Sequence, residues 1–147
     1  MNPSKSKGTA AESAVVKYLR SCGIPADRHA LKGTADEGDV WAWPTVSGGA
    51  RLVAEVKAGE QTRNPSWAQL SKWWQEAEDE ASRVQDCDMA VLVCKRHGSG
   101  LPGDWHAWVR LDDLPGMQGT AMARVPWVML PLGELVRWLR AWPGWQA

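Results

Sequence analysis

Residues 38–58 have the sequence GDVWAWPTVSGGARLVAEVKA, and this stretch decides the fold class. Two runs rich in β-branched and aromatic residues flank a pair of glycines, which predicts a β-hairpin. Every second position from Leu52 to residue 56 is apolar, so Glu55 and Lys57 are predicted to project together from the opposite side of the strand. Pairing of the two strands brings Asp39, at the start of the first run, towards Glu55. The stretch therefore predicts two carboxylates and one amine at the end of a hairpin.

Periodic patterns predict further helices and strands on both sides of this hairpin. Apolar residues recur at helical spacing before and after it, and the short apolar run Met89 to Cys94 is typical of a strand buried on both faces. The predicted elements are helix 9–22, strands 40–43 and 51–58, helix 65–84, strands 89–94, 105–111 and 127–130, and helix 133–142. This order predicts an α/β fold with a mixed central β-sheet flanked by helices. We expect one domain over residues 1–147, with residues 1–8 as a flexible basic arm.

The composition limits which classes of function are open. Three cysteines without a CxxC pair and three scattered histidines favour neither a disulfide framework nor a zinc site. No apolar run approaches the roughly 20 residues that a membrane span needs, so we expect a cytoplasmic protein that binds no membrane. The chain has eleven tryptophans and no phenylalanine. Tryptophan can stack on unpaired bases, but for any single one a place in the core is the favoured interpretation.

Charge is distributed unevenly although the formal net charge is zero. Residues 1–35 contain six basic and two acidic side chains, whereas residues 76–88 contain six acidic and one basic. The basic segment suits contacts with phosphates, which take their affinity from concentrated positive charge. The acidic segment indicates either a solvated helix face or a surface for a protein partner.

The acids of the hairpin point to a divalent cation. Two neighbouring carboxylates repel each other unless a cation holds them, and hard oxygen ligands suit Mg²⁺, with Mn²⁺ as a substitute. A cation between Asp39 and Glu55 would favour hydrolysis of a phosphodiester, with Lys57 orienting the water or stabilising the developing charge. Each acid also has a simpler interpretation, since Asp39 lies in a turn-like DEGD segment and Glu55 with Lys57 can form a solvated ion pair.

Glu12 is a further candidate acid, and it has two interpretations. It lies at the border of the apolar stripe of the first predicted helix, from where it can approach the hairpin acids as an outer or second-metal carboxylate. The spacing Thr9-x-x-Glu12 also matches a capping box, in which Glu12 binds the backbone at the start of the helix. The two roles can coexist.

Several short motifs in the first half of the chain resemble a known family. They are, in order, KGTAAE at 7–12, the segment 28–33, GDV at 38–40 and EVK at 55–57. This order looks like that of the archaeal-type Holliday junction resolvases and their phage-encoded relatives, which are PD-(D/E)xK nucleases. The resemblance covers roughly residues 5–75. It implies a restriction-endonuclease-like core, a homodimer, and a place in the cytoplasm of a phage-infected bacterial cell.

The resemblance also implies roles for individual residues. Gln69 and Trp73 are one helical turn apart and are similar to a Gln-x-x-x-Tyr element, with Trp in place of Tyr, although an ordinary solvated glutamine is an equal interpretation. The implied catalytic residues are Glu12, Asp39, Glu55, Lys57 and Gln69. The implied metal ligands are Asp39, Glu55, Glu12 and the carbonyl of Val56. Basic residues that we expect to contact phosphates are Lys5, Lys7, Arg28, Lys32, Lys95 and Arg96.

The function expected from these features is Mg²⁺-dependent hydrolysis of branched double-stranded DNA at Holliday junctions. The same catalytic core serves other PD-(D/E)xK nucleases, so a flap or fork nuclease, a nickase or an exonuclease is an alternative. A DNA-binding module that keeps the fold without turnover is another. The paired acids and lysine favour an enzyme, because a site without function has no physical reason to keep carboxylates that repel each other.

Overall fold

Six strands form one sheet in the computed structural model, which describes residues 3–29, 39–117 and 126–145. The strands lie in the sheet in chain order. The helices and strands are α1 (Pro3–Ser21), β1 (Ala26–Arg28), β2 (Val40–Pro44), β3 (Ala50–Lys57), α2 (Trp67–Ser82), β4 (Met89–Cys94), β5 (His106–Arg110), β6 (Trp127–Pro131) and α3 (Leu132–Ala141). Among the strands of the described residues, only β3 and β4 pair in parallel, because α2 connects them and returns the chain to the same end of the sheet.

The predicted α/β architecture with a mixed sheet and three helices is confirmed. Each strand and helix predicted from residue 40 onward is present, with ends that differ by a few residues. The sequence patterns missed β1, which pairs antiparallel with β2. A strand of three residues is too short to produce a recognisable alternation, so its existence depends on the neighbouring strand.

The two faces of β3 carry different side chains. Leu52, Ala54 and Val56 belong to the main core, which is shared with α1 and α3. Val53 packs instead with residues of α2 on the opposite face. Because side chains alternate along a strand, Glu55 and Lys57 lie on the α2 face with Val53. The catalytic candidates of β3 are therefore covered by α2.

The first helix starts earlier than the sequence predicted. Residues 3–8 belong to α1, so the expectation of a flexible arm over residues 1–8 is wrong for them. Proline is favourable in a first helical turn because its fixed φ is helical and its missing N–H needs no partner there. Gly8 costs only about 1 kcal/mol inside a helix. Thr9 consequently lies within α1 and is not its N-cap, which excludes the capping-box interpretation of Glu12.

The turn of the β2–β3 hairpin packs against the segment that follows α2. A Cβ atom at Gly49 would lie 1.7 Å from the Gln85 carbonyl oxygen, so only glycine fits. The same oxygen accepts a hydrogen bond from the Ala50 N–H at 3.2 Å. These contacts fix the hairpin relative to α2 and thus fix which side chains of β3 meet the helix. None of the described helices combines the length and the apolar character needed to cross a membrane.

Candidate active site

The hairpin end places Asp39 beside β3, as the sequence predicted. Asp39 directly precedes β2, and its N–H donates to the Ala54 carbonyl at 3.1 Å. The Asp39 carboxylate extends past the end of the β2–β3 ladder, where its Oδ2 accepts a hydrogen bond from the Val56 N–H at 2.8 Å. This bond replaces the ladder partner that Val56 lacks. The Asp39 carboxylate is thus held against the Glu55-Val56-Lys57 segment.

Glu55 and Lys57 form a largely buried ion pair under α2. Lys57 Nζ lies 3.3 Å from Glu55 Oε1 and 3.0 Å from Glu76 Oε2. The same Nζ is 5.9 Å from the centre of the Trp73 ring. Glu55 is only 6% exposed, and its buried Oε2 accepts no hydrogen bond from the described residues. A solvated ion pair on an edge strand, the simpler interpretation of these residues, is therefore wrong.

Two acids of α2 join this cluster, and sequence reasoning missed both. Glu76 binds Lys57, and Glu80 is only 6% exposed. They were grouped with the acidic run 76–88, for which a solvated face was one interpretation. A signal was available, because Trp73, Glu76 and Glu80 follow at intervals of three and four residues and so share one helix face. The buried Trp73 marks that face as the inner one.

Burial of like charges raises the pKa values of both hairpin acids. Burial raises the pKa of Asp39 to about 8, and the charge of Glu55 acts in the same direction. Burial also raises the pKa of Glu55 to about 8, with a further contribution from the Glu80 carboxylate beside it. For Lys57, burial lowers the pKa, but the charges of Glu55 and Glu76 outweigh it and raise the value above that of an ordinary lysine. Lys57 is therefore a cation at neutral pH.

The donor set suits a divalent cation with few protein ligands. Among the described residues, no group of three or more His, Cys, Asp or Glu side chains is placed to hold a metal ion. Mg²⁺ does not need such a group, since it keeps several waters and binds through one or two carboxylates. Glu55 Oε2 accepts no hydrogen bond from the described residues, and a pKa of about 8 for both acids indicates that Lys57 alone does not offset the burial of their charges. The Val56 carbonyl points to the same side of the strand as its N–H, towards Asp39, and can supply a further oxygen.

Glu12 approaches the hairpin from α1 but is held by another residue. Its Oε2 accepts hydrogen bonds from Arg28 Nε at 3.0 Å and from Arg28 Nη2 at 2.9 Å. The charge of Glu12 is the weakest of the causes that raise the pKa of Asp39. The structure therefore brings Glu12 to the border of the site, where it is paired with Arg28. Its role as a metal ligand stays a prediction.

Gln69 lies on the inner side of α2, one turn before Trp73. Its backbone N–H donates to Ser66 Oγ at 3.1 Å, which caps the helix. Its side chain is half-buried and makes no hydrogen bond with the described residues. This position is consistent with a side chain that faces the site, but no contact of Gln69 indicates a catalytic role. A catalytic function of Gln69 remains a prediction.

The predicted phosphate contacts lie in different surroundings. Lys95 and Arg96 are exposed and directly follow β4, at the same end of the sheet as Lys57. The Lys95 N–H donates to the Lys57 carbonyl at 2.9 Å. Arg28 is engaged with Glu12, so it positions that acid in this structure. Lys32 and the side chains of Lys5 and Lys7 lie outside the described part of the chain.

Comparison of the chain with protein-family models, with curated proteins and with solved structures gives no match. The resemblance to Holliday junction resolvases accordingly stays a prediction from the motifs. The site itself is described by contacts within this chain. Those contacts join Asp39, Glu55, Lys57 and Glu76 at one end of the sheet.

Proposed function

We propose that this chain is a Mg²⁺-dependent DNA endonuclease of the PD-(D/E)xK type that hydrolyses phosphodiester bonds at Holliday junctions or other branched DNA. The observation that carries the proposal is the hydrogen bond from the Val56 N–H to Asp39 Oδ2, which holds one acid beside a second acid and a lysine. A restriction-endonuclease-like core is part of the proposal. It is supported by the position of β3, which pairs antiparallel with β2 and parallel with β4.

Each side chain of the site has a separate role in the proposed hydrolysis. Asp39, Glu55 and the Val56 carbonyl would hold the cation with oxygen ligands. A bound Mg²⁺ would polarise the scissile phosphate and lower the pKa of a coordinated water. Lys57 is protonated at neutral pH, so it is suited to stabilising negative charge that develops on the phosphate and not to accepting a proton. Glu76 of α2 holds the Lys57 ammonium group in place through an ion pair.

The proposed substrate follows from the charge around the site. Lys95 and Arg96 are exposed at the same end of the sheet as Lys57, where they can bind phosphates without reading base sequence. Two equivalent strands of a branched DNA require two equivalent sites, so the proposal includes a two-fold homodimer. Selectivity for branched DNA rests on the resemblance of the motifs to resolvases.

The test is cleavage of three end-labelled substrates, which are a four-way junction, a linear duplex of the same sequence and a single strand. Each is incubated with Mg²⁺ or with EDTA and with the wild type, Asp39→Asn or Asp79→Asn. Asp39→Asn keeps an oxygen that can accept from the Val56 N–H, so it removes charge with little change of geometry. Asp79→Asn is the matched control, because it removes an exposed carboxylate of α2.

Mg²⁺-dependent nicking of the junction, lost in Asp39→Asn and kept in Asp79→Asn, is the expected result. Equal cutting of all three substrates would retain the nuclease and reject selectivity for branched DNA. Tight binding without cutting in Mg²⁺ or Mn²⁺ would reject the enzyme and favour a DNA-binding module. Cutting that survives Asp39→Asn would place the active centre elsewhere in the chain.

A further inference from the structure

Trp67 is the most exposed of the eleven tryptophans. Its side chain is 70% exposed, whereas the next, Trp142, is 41% exposed. For any single tryptophan the sequence favoured a place in the core, and for Trp67 this is wrong. Trp67 is the first residue of α2, and the core that α2 covers begins one turn later at Leu70.

The exposed ring of Trp67 packs against one ring of a buried tryptophan cluster. It meets Trp74 edge-to-face, with ring centres 5.1 Å apart and an angle of 84° between the planes. Trp74 is buried and stacks on Trp127 at 5.6 Å with an angle of 5°. It also contacts Trp108 at 5.3 Å. The contact with Trp74 leaves most of the Trp67 ring accessible, so a flat ligand can stack on it.

The position of Trp67 relative to the candidate active site follows from the helix. α2 runs antiparallel to β3, because Glu76 meets Lys57 whereas the later Ala81 packs with Val53. Trp67 is nine residues before Glu76, which is about 14 Å along the axis at 1.5 Å per residue. The ring thus lies beyond the carboxyl end of β3. Nine residues are also two and a half helical turns, so the side chains of Trp67 and Glu76 leave α2 on opposite sides. The path from the ring to the site is therefore at least about four nucleotides of a stacked strand at 3.4 Å each.

The charges near Trp67 suit a polyanion. The segment 61–75 contains Arg63 and Lys72 and no acidic residue. Arg63 pairs with Glu60 on the surface, while Lys72 is exposed. A membrane or an acidic peptide would also be attracted by positive charge, but neither presents flat π-faces next to phosphates. Nucleotides of a single strand present both.

We propose that Trp67 stacks on an unpaired base of a DNA strand, at least about four nucleotides from the phosphodiester that is held at Asp39 and Glu55. The inference rests on the proposed nuclease function and adds to it a residue that selects unpaired over paired DNA. Every base has a π-face, so the contact reads the absence of pairing and not the base sequence. A base inside a duplex is stacked on its neighbours and does not offer that face.

The test is equilibrium binding in Ca²⁺ to a fully paired duplex and to a branched DNA with unpaired nucleotides at the branch. The fluorescent base 2-aminopurine is placed in turn at each unpaired position and at the paired positions next to them. Trp67→Ala and Trp67→Phe are compared with the wild type, and Trp142→Ala is the control for loss of an exposed tryptophan elsewhere. Sedimentation of each variant reports its oligomeric state, and melting curves report folding.

In the wild type we expect quenching at one unpaired position. Trp67→Ala should weaken binding of the branched DNA about tenfold, abolish the quenching and leave the affinity for the duplex unchanged. Trp67→Phe should retain most of both signals, and Trp142→Ala should match the wild type. Equal weakening for both DNAs, or quenching that persists in Trp67→Ala, would overturn the inference. A loss of dimer in Trp67→Ala would also overturn it, because the ring would then be covered by a second copy.

Failure of this inference is distinguishable from failure of the nuclease proposal. Cleavage by the wild type in Mg²⁺ together with unchanged binding by Trp67→Ala would reject only the stacking role. Quenching that depends on Trp67 in a protein that never cuts DNA would reject the nuclease and retain the stacking contact. A wild type that binds neither DNA would reject both.

Discussion

The contact between α2 and β3 has two ends of opposite chemistry. Near the amino end of β3, Val53 belongs to an apolar cluster with Ala81 of α2 and Val84, which follows the helix. At the carboxyl end, the same strand and helix meet through three carboxylates and one amine. These are Glu55, Glu76, Glu80 and Lys57. One end therefore follows the rule for a protein core, whereas the other contains buried charged side chains.

The difference indicates that the charged end of the contact lowers the stability of the fold. Burial of charge is costly. Glu55 is buried beside the Glu80 carboxylate, and its cation Lys57 is shared with Glu76. The apolar end holds the helix on the sheet, so the charged end can persist. Such an arrangement is typical of a site that is completed by a cation. Substitutions at the two ends should accordingly separate activity from stability.

The largest effect is expected for Glu55→Gln. The rate of Mg²⁺-dependent DNA hydrolysis should fall about 10³-fold or more, because a direct ligand of the proposed metal is lost. In EDTA at pH 8, the melting temperature should rise, because the substitution removes a buried charge. Glu134→Gln, which changes an exposed glutamate of α3, is the control for both measurements. A melting temperature that falls in EDTA would show that the Glu55 charge stabilises the fold.

The stability of the metal-free protein should fall as the pH rises from about 4 to about 8. In this window the unfolded chain has released the protons of Asp39 and Glu55, while the folded chain keeps them because their pKa values are about 8. The folded state then binds more protons, so each of the two groups lowers the free energy of unfolding by up to about 1.4 kcal/mol per pH unit.

Mg²⁺ should flatten this slope, because it binds the ionised acids and stabilises the folded state more strongly as the pH rises. The measurement is a series of melting curves from pH 4 to 9, with EDTA and with Mg²⁺. Glu55→Gln serves as the reference, since other acids also titrate in this range. The same slope in Glu55→Gln and in the wild type would contradict the explanation.

The charged end also marks the limit of what the sequence could predict. Alternation along β3 placed Glu55 beside Lys57, and the hairpin placed Asp39 near both, because these relations depend on neighbours in sequence. Helical spacing places Glu80 on the same face as Trp73, but which strand this face meets depends on how α2 sits on the sheet. That placement is fixed by contacts such as the approach of Gly49 to Gln85, which no periodic pattern reveals.

Lys57→Met should be the most destabilising single change at the charged end. It keeps the length of the side chain and removes the cation shared by Glu55 and Glu76, so we expect a loss of about 3 kcal/mol in the free energy of unfolding. The loss should be larger at pH 9 than at pH 6, because the acids can take up protons at the lower pH. Lys95→Met, an exposed lysine at the same end of the sheet, should change the free energy of unfolding by less than about 0.5 kcal/mol. Denaturant titrations at both pH values test this, and equal losses would argue against coupling to the acids.

Val53→Ala probes the apolar end. Val53 is 1% exposed, so removal of two methyl groups should leave a cavity and cost about 2 kcal/mol of stability. The rate of hydrolysis, measured well below the melting temperature, should stay within twofold of the wild type. A large loss of rate would mean that the two ends of the contact do not act separately.

Glu76→Gln should have the smallest effect, and it tests whether α2 positions the lysine. Without the Glu76 charge, Lys57 has Glu55 as its one remaining ionic partner in the cluster, so kcat should fall about tenfold while KM changes little. Stability should change by less than about 1 kcal/mol, because the Glu76 side chain is 36% exposed. Glu78→Gln is a close control. Glu78 is on the same helix as Glu76, and it forms an ion pair of similar exposure with Arg110 of β5. Equal loss of activity in the two variants would mean that Glu76 acts only through the stability of α2. Catalysis would then not require every acid at the charged end of the contact.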